Sequence, residues 1–285
     1  MPEKKDPQMP HEGKGDARSL AKLRDKIDAI DAEMHRLLID RGKVIDSLIK
    51  TKGTGRSGTA FRPEREADMM RRLVERHKGE LPLATVEHIW REIITTFTRM
   101  QAPFDVAVDV SVEPERMRDL ARFVFGFSVK LKLVSDATTV VASVAKANDL
   151  GLIARAARGA WWRGLVGPRA PKIMALLPFI ATKGRPADLP AFVVSPPLAD
   201  PTPFDINAFA ITVDGSFKGV AGGEILEAAG NDVLFAMPGR PDPAWLNSRL
   251  EDAGVAVRAV FAVGGFAEGI TTDGRATPLY KRVRR

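Results

Sequence analysis

The chain contains no cysteine, which removes disulfide frameworks, thiolate nucleophiles and thiolate metal ligands together. The N-terminal stretch "MPEKKDPQMPHEGKGDARS" has no apolar core of the kind a secretory leader needs. No later window approaches the roughly eighteen uninterrupted apolar residues of a membrane span. Export and membrane insertion both lack support, so a cytoplasmic protein is expected. The four histidines, His11, His35, His77 and His88, show no ligand spacing and no Asp/Glu cluster joins them, so no metal site is expected. Lysine and arginine outnumber aspartate and glutamate by 43 to 36, a net charge of +7. The basic clusters, "EKKD" and "YKRVRR", sit at the ends without interleaved aromatics, which argues against a nucleic-acid platform. The glycine-rich "GVAGGE" and "AVGGFAEG" lack the strand, turn and helix context of a dinucleotide fingerprint.

What is present suits two modest domains: 285 residues at 45% hydrophobic composition exceed one small bundle. Residues 1–17 are polar and rich in Pro and Gly, the composition of a disordered tail. Residues 18–102 carry helical periodicity, broken at "KGTGRSGTAFRP" and "KGELP" into one long helix and two shorter ones. Pro63 and Pro82 suit the first turns of the second and third helices, where a missing N–H costs nothing. Val86, Trp90, Ile93 and Phe97 form the expected core stripe of the third.

From 103 to 285 the pattern becomes α/β. Strands are expected at "FSVKLKLV", "DLGLIA", "KIMALLPFI", "AFVVS", "INAFAITV", "DVLFAM" and "VAVRAVFAV". Helices are expected at "DATTVVASVAKAN", with Asp136 as N-cap, at "GGEILEAAG" and at "DPAWLNSRLEDAG". The Pro-rich "VVSPPLADPTPFD" is a stiff connector that divides this half. The adjacent Trp161 and Trp162 suit either a packing edge or the cap of a ligand pocket.

The long helix holds the most informative residue. Leu23, Ile27, Ile30, Met34, Leu37, Arg41, Val44 and Leu48 follow a four-three seam, and Arg41 interrupts it. A buried guanidinium needs an anion. Either Arg41 lifts its head to solvent or pairs with a structural carboxylate, or its partner is a ligand. Lys52 lies eleven residues on, about 20° from the same face and about 16 Å along the axis. Arg24 lies seventeen residues before Arg41, about 25 Å away and about 100° around, so it reaches the same small molecule only from a second copy of the chain. A seam this long also asks for a partner longer than either short helix, which a two-fold dimer supplies.

These residues resemble the all-helical class of chorismate mutases, whose three-helix protomers intertwine as dimers. The resemblance covers about residues 20–101. It implies that Arg24 in "LRDKIDAID" crosses to the partner subunit, that Arg41 in "LLIDR" binds a substrate carboxylate, and that Lys52 contacts the ether oxygen and a carboxylate. In "RPERE", Arg65 takes the position that orients substrate and Glu66 the position that holds the ring hydroxyl. Gln101, ending "WREIITTFTRMQ", donates to the ether oxygen. Lys52, Gln101 and Arg41 are thus the implied catalytic residues. The implied reaction is the intramolecular rearrangement of chorismate, a small dianion, to prephenate, which needs no metal or cofactor. Phe97 stands where the mutases carry a small hydroxyl residue. Related lyases that split isochorismate into salicylate and pyruvate carry an aromatic there, and a non-catalytic sensor of an aromatic precursor is a third reading.

The segment "GFSVKLKLVSDATTVVASVAKANDLGLIA" is similar to the periplasmic-binding-like domain of prephenate dehydratases. After "LGLI" the family's "PIEN" motif is replaced by "ARAARGAWW". The family's active-site triplet "TRF" is replaced by Pro190, Ala191 and Phe192. The resemblance therefore implies a degenerate relative without dehydratase activity. The closing strand-helix-strand resembles a remnant of a regulatory ACT-type unit.

Overall fold

The structure is a computed structural model of the chain and describes residues 14–52, 61–147, 149–182, 184–198 and 203–275. Contacts divide it into two compact units, Met1–Thr54 and Gly55–Arg285.

The described part of the first unit is one helix, α1 (Lys14–Lys52), of 39 residues, roughly 58 Å long. It begins inside the tail expected through residue 17; residues 1–13 lie outside the described residues. The N-terminal part of the apolar seam is bare, with Leu23, Ile27, Ile30, Met34 and Leu37 each 52–59% exposed and Val44 at 66%, while Arg41 and Leu48 are half-buried. Another face carries a ladder, Glu33–Arg36–Asp40–Lys43, with N···O separations of 2.6–2.9 Å. Exposed pairs of this kind add only tenths of a kcal/mol each.

The second unit opens with α2 (Pro63–Arg76) and α3 (Leu83–Gln101). The α/β elements follow as β1 (Val106–Asp109), α4 (Pro114–Phe125), β2 (Leu131–Val134), α5 (Ala137–Lys146), β3 (Leu150–Ala154), a 3-10 turn at Trp161–Leu165, β4 (Lys172–Leu177) and β5 (Ile180–Ala181). After them come β6 (Ala191–Ser195), β7 (Ile206–Asp214), β8 (Glu224–Ala229), β9 (Asp232–Pro238), α6 (Pro243–Asp252), β10 (Ala256–Phe266) and β11 (Ile270–Thr271). Nine strands make one mixed sheet in the order β2-β1-β3-β6-β4-β10-β7-β9-β8.

The sheet has two halves. In the first, β2, β1 and β3 are parallel, and β6 runs antiparallel between β3 and β4. Its "VAVD", "LGLIA" and "AFVVS" runs are buried throughout, as strands covered on both faces require. In the second, β10-β7-β9-β8 are antiparallel, with α6 crossing from β9 to β10. That is the strand order of a split β-α-β unit whose first crossover, residues 215–223, is a loop instead of a helix. The halves meet at a single register pair, Gly264 with Ile173. Gly264 holds φ +119°, and a Cβ there would stand 2.1 Å from the Ile173 carbonyl oxygen. Only glycine permits this approach.

Most local expectations hold. Asp136 accepts from Thr139 N at 2.8 Å as the N-cap of α5, and Pro63 opens α2. Pro82 sits one position earlier than expected, as the N-cap residue of α3. The "GGEILEAAG" segment is not a helix: Glu224–Ala229 is strand β8, paired antiparallel with β9. A register shift between Ile225 and Glu227 turns Leu226 inward, where it is 4% exposed. The bulge breaks the alternation that would have marked a strand. Trp161 and Trp162 are 2% and 1% exposed and pack edge-to-face in the core, Trp161 also against Phe192. They are a packing feature.

Helices α2 and α3 pack with the α/β part. Met70, Leu73 and Ile94 share a cluster with Phe179, Ile180 and Ile270, and Arg71 ties α2 to Asp205 at 2.7 Å.

Candidate functional site

α3 carries three faces. His88, Glu92, Thr95 and Arg99, spaced four, three and four, meet α4 and the residues after it. His88 stacks on Phe123 with centroids 5.0 Å apart, Glu92 accepts from Phe127 N at 3.2 Å, Thr95 donates to the Val124 carbonyl at 3.4 Å and Arg99 to that of Ser128 at 3.0 Å. One residue back, Glu87, Arg91, Ile94 and Thr98 form a buried stripe. The expected core stripe is therefore displaced: Val86 is buried, while Trp90, Ile93 and Phe97 are half-buried. The most deeply covered side of α3 is polar because its partners are carbonyls and charges.

That polar side builds a chain of alternating charge. Glu66, in the first turn of α2, accepts from Arg91 Nη1 at 3.1 Å. Arg91 Nε lies 3.7 Å from Glu87 Oε1. Glu87 is held at both oxygens by Arg185, in the loop after β5, through Nη1 to Oε2 and through Nη2 to Oε1 at 2.9 Å. Arg185 also donates to the Ile180 carbonyl at 3.3 Å, and its guanidinium lies 4.5 Å over the Phe123 ring. Glu87, Arg91 and Arg185 are 1–5% exposed, and charges so buried persist only when paired.

Glu66 opens into a narrow cleft lined by Phe61, Ala67, Phe125, Met174 and Leu177, with Arg91 beside it. Burial pushes its carboxyl up to about 7, and the nearby Arg91 cation pulls the other way.

The remaining residues singled out from sequence are spread over both units. On α1, Arg24 is exposed and Arg41 half-buried, and Lys52 is the last helical residue, its side chain outside the described residues. Arg65 is exposed on the first turn of α2. Gln101 ends α3, where its Nε2 donates to the Phe97 carbonyl at 3.0 Å. It lies ten residues from Arg91, about 15 Å along the axis, so within this unit Glu66 and Gln101 are not brought together by α3 itself. Glu87, Arg91 and Arg185 went unnoticed in the sequence, because a Glu four residues before an Arg is an ordinary surface pattern on a helix.

In the α/β half, Ala191 and Phe192 are wholly buried in β6 and the half-buried Pro190 precedes them, so two of the three replacing residues are core. Arg155, in the replaced "PIEN" region, is 7% exposed and pairs with Glu224 at 3.1 Å. Among the described residues no group of three His, Asp or Glu side chains could hold a metal ion, and no helix is long and apolar enough to cross a membrane.

These features define a class: a helical segment with an interrupted apolar seam and cations at fixed spacing, followed by a mixed α/β domain. The sequence model of the chorismate mutase type II family matches residues 23–102. The chain is 37% identical over 84 residues to the bifunctional chorismate mutase/prephenate dehydratase of Neisseria gonorrhoeae, covering 30% of this chain and 22% of that protein. It is 29% identical over 96 residues to the enzyme of the same name from Pseudomonas aeruginosa, and 27% identical over 96 residues to that of Stutzerimonas stutzeri, covering 32% of this chain and 26% of each relative. The chain thus spans about a quarter of the length of the curated relatives it matches. No solved structure matches. The resemblance noted in the sequence to chorismate mutases is borne out, as is the order of a helical part followed by an α/β part.

Proposed function

We propose that the chain is a chorismate mutase of the aromatic amino acid pathway, acting as a homodimer and rearranging chorismate to prephenate without a cofactor. The observation that carries this reading is the order Arg24, Arg41, Lys52, Arg65, Glu66 and Gln101 within the matched residues 23–102. The bare seam of α1 supports the dimer, since contiguous exposed apolar surface of this extent marks an interface. Chorismate must be held folded so that its reacting carbons meet, and the protein supplies that trap with charge alone. Arg24 of one copy, with Arg41 and Arg65 of the other, grips the two carboxylates, for which the forked guanidinium is suited. Lys52 and Gln101 donate to the ether oxygen as negative charge grows on it. Glu66 accepts from the ring hydroxyl, which requires its ionised form.

The α/β domain is proposed to have lost dehydratase chemistry, because core residues stand where that family's triplet would lie. The test is turnover of chorismate by the purified protein, read as prephenate, with isochorismate assayed beside it for salicylate and pyruvate. Prephenate is expected, and it disappears in Arg41→Leu and Lys52→Ala while the dimer persists. A fully active Arg41→Leu would make that charge irrelevant to catalysis.

A further inference from the structure

The alternating charge chain connects Glu66 to a loop of the α/β part, and the rearrangement chemistry does not require such a connection. We propose that Arg185 is a positioning residue for the mutase reaction: by holding Glu87 it leaves Arg91 to Glu66, and so favours the ionised form of the hydroxyl-binding carboxylate and holds it in place. This deepens the mutase reading and rests on it.

The distances set the direction of the effect. Arg185 occupies both oxygens of Glu87, whereas Arg91 Nε stops 3.7 Å away, outside hydrogen-bond range. Arg91 spends Nη1 on Glu66 at 3.1 Å. With Arg185 removed, a carboxylate 1% exposed is left bare, and the nearest cation is Arg91. Drawn to Glu87, Arg91 turns from Glu66. Among the described residues lining the Glu66 cleft, α2 contributes Ala67, α4 Val124 and Phe125, and β4 Met174 and Leu177, all apolar; Arg91 is the charged group there besides Glu66 itself. Nothing in that lining replaces it.

The experiment is the pH profile of kcat/KM for chorismate in the full chain, together with a 13C-carboxyl NMR titration of Glu66 assigned with Glu66→Gln. Arg185→Leu is expected to move the acid limb and the Glu66 titration up by about 1 pH unit, the size of a lost neighbouring charge. Glu87→Gln removes the competitor for Arg91 and moves both down. The double variant Arg185→Leu/Glu87→Gln leaves no bare charge behind Arg91 and returns both to the wild-type position or below. It carries the test if Arg185→Leu does not fold. A role confined to stability moves both single variants the same way, or lowers their melting temperatures with the limb fixed, and either result overturns the proposal. A wild type silent toward chorismate sinks the mutase reading, whereas a Glu66 titration indifferent to Arg185 and Glu87 sinks the positioning role in an active enzyme.

Discussion

Arg185 and Glu87 stand 98 residues apart in sequence and form a two-point ion pair with side chains 2% and 1% exposed. Removing one partner of such a pair leaves an uncompensated charge, at a cost of about 3–5 kcal/mol, whereas replacing both by apolar groups is near neutral. Glu87→Leu is therefore expected to lower the urea midpoint strongly, and Arg185→Leu/Glu87→Leu to recover most of the loss. Midpoints that fall additively in the double variant would show that the two side chains stabilise independently.

Stability should also depend on pH through Glu66. Its folded pKa of about 7 lies above the ordinary 4.5. Between those values the folded chain keeps a proton that the unfolded chain releases, so stability falls as pH rises from about 4.5 to about 7 and is flat outside that window. At 1.36 kcal/mol per unit the upper bound is on the order of 3 kcal/mol. Glu66→Gln removes this share of the slope. Glu227, likewise raised to about 7 by burial against the opposing pull of Arg155, leaves a residual slope of the same sign. Chemical denaturation at pH 5, 6 and 7 measures both, and an unchanged slope in Glu66→Gln would return Glu66 to an ordinary exposed acid.

The sequence made the three N-terminal helices, the change to α/β at about residue 103, the first-turn Pro63 and the Asp136 cap legible because each depends on neighbours within one or two turns; α4 and β1 were not anticipated. The buried face of α3 was not, because the apolar stripe Trp90, Ile93 and Phe97 is half-buried while Glu87 and Arg91 are covered. What covers them comes from α2, α4 and the loop bearing Arg185, at separations no periodicity reports. Strand β8 was missed for a similar reason, since the bulge at Leu226 shows its phase only when β9 lies beside it. The α3 pairing that holds Glu66 was not legible either.

The single register pair joining the two half-sheets makes Gly264 a point of weakness. Gly264→Ala sets a Cβ 2.1 Å from a backbone oxygen at φ +119°, and neither strand can yield without losing the junction. A loss above about 3 kcal/mol is expected, beyond the usual range for one substitution. Gly254→Ala is the control: φ is +75° but no atom lies within 4 Å of the added Cβ, so only about 1 kcal/mol of backbone strain is expected. Equal losses in the two variants, by thermal unfolding, would mean the sheet halves do not depend on this contact.

The proposed dimer rests on the exposed part of the α1 seam. A helix of 39 residues with this much exposed apolar surface gains little from propensity, and most of its stability comes from packing. Burying what remains exposed of Leu23, Ile27, Ile30, Met34 and Leu37 is worth about 1 kcal/mol each, which in the proposed dimer is set against the entropy of association. Ile27→Glu/Met34→Glu places two carboxylates on that axis without touching Arg24 or Arg41. Sedimentation should then give a dimer for the wild type and a monomer for the variant. Helical ellipticity at 222 nm should fall, because α1 loses its packing partner. On the proposed mutase reading, prephenate formation is then lost with the dimer, because Arg24 no longer reaches a partner's site. A monomeric variant that keeps full activity would place every catalytic group within one chain and remove the reason for Arg24 to cross.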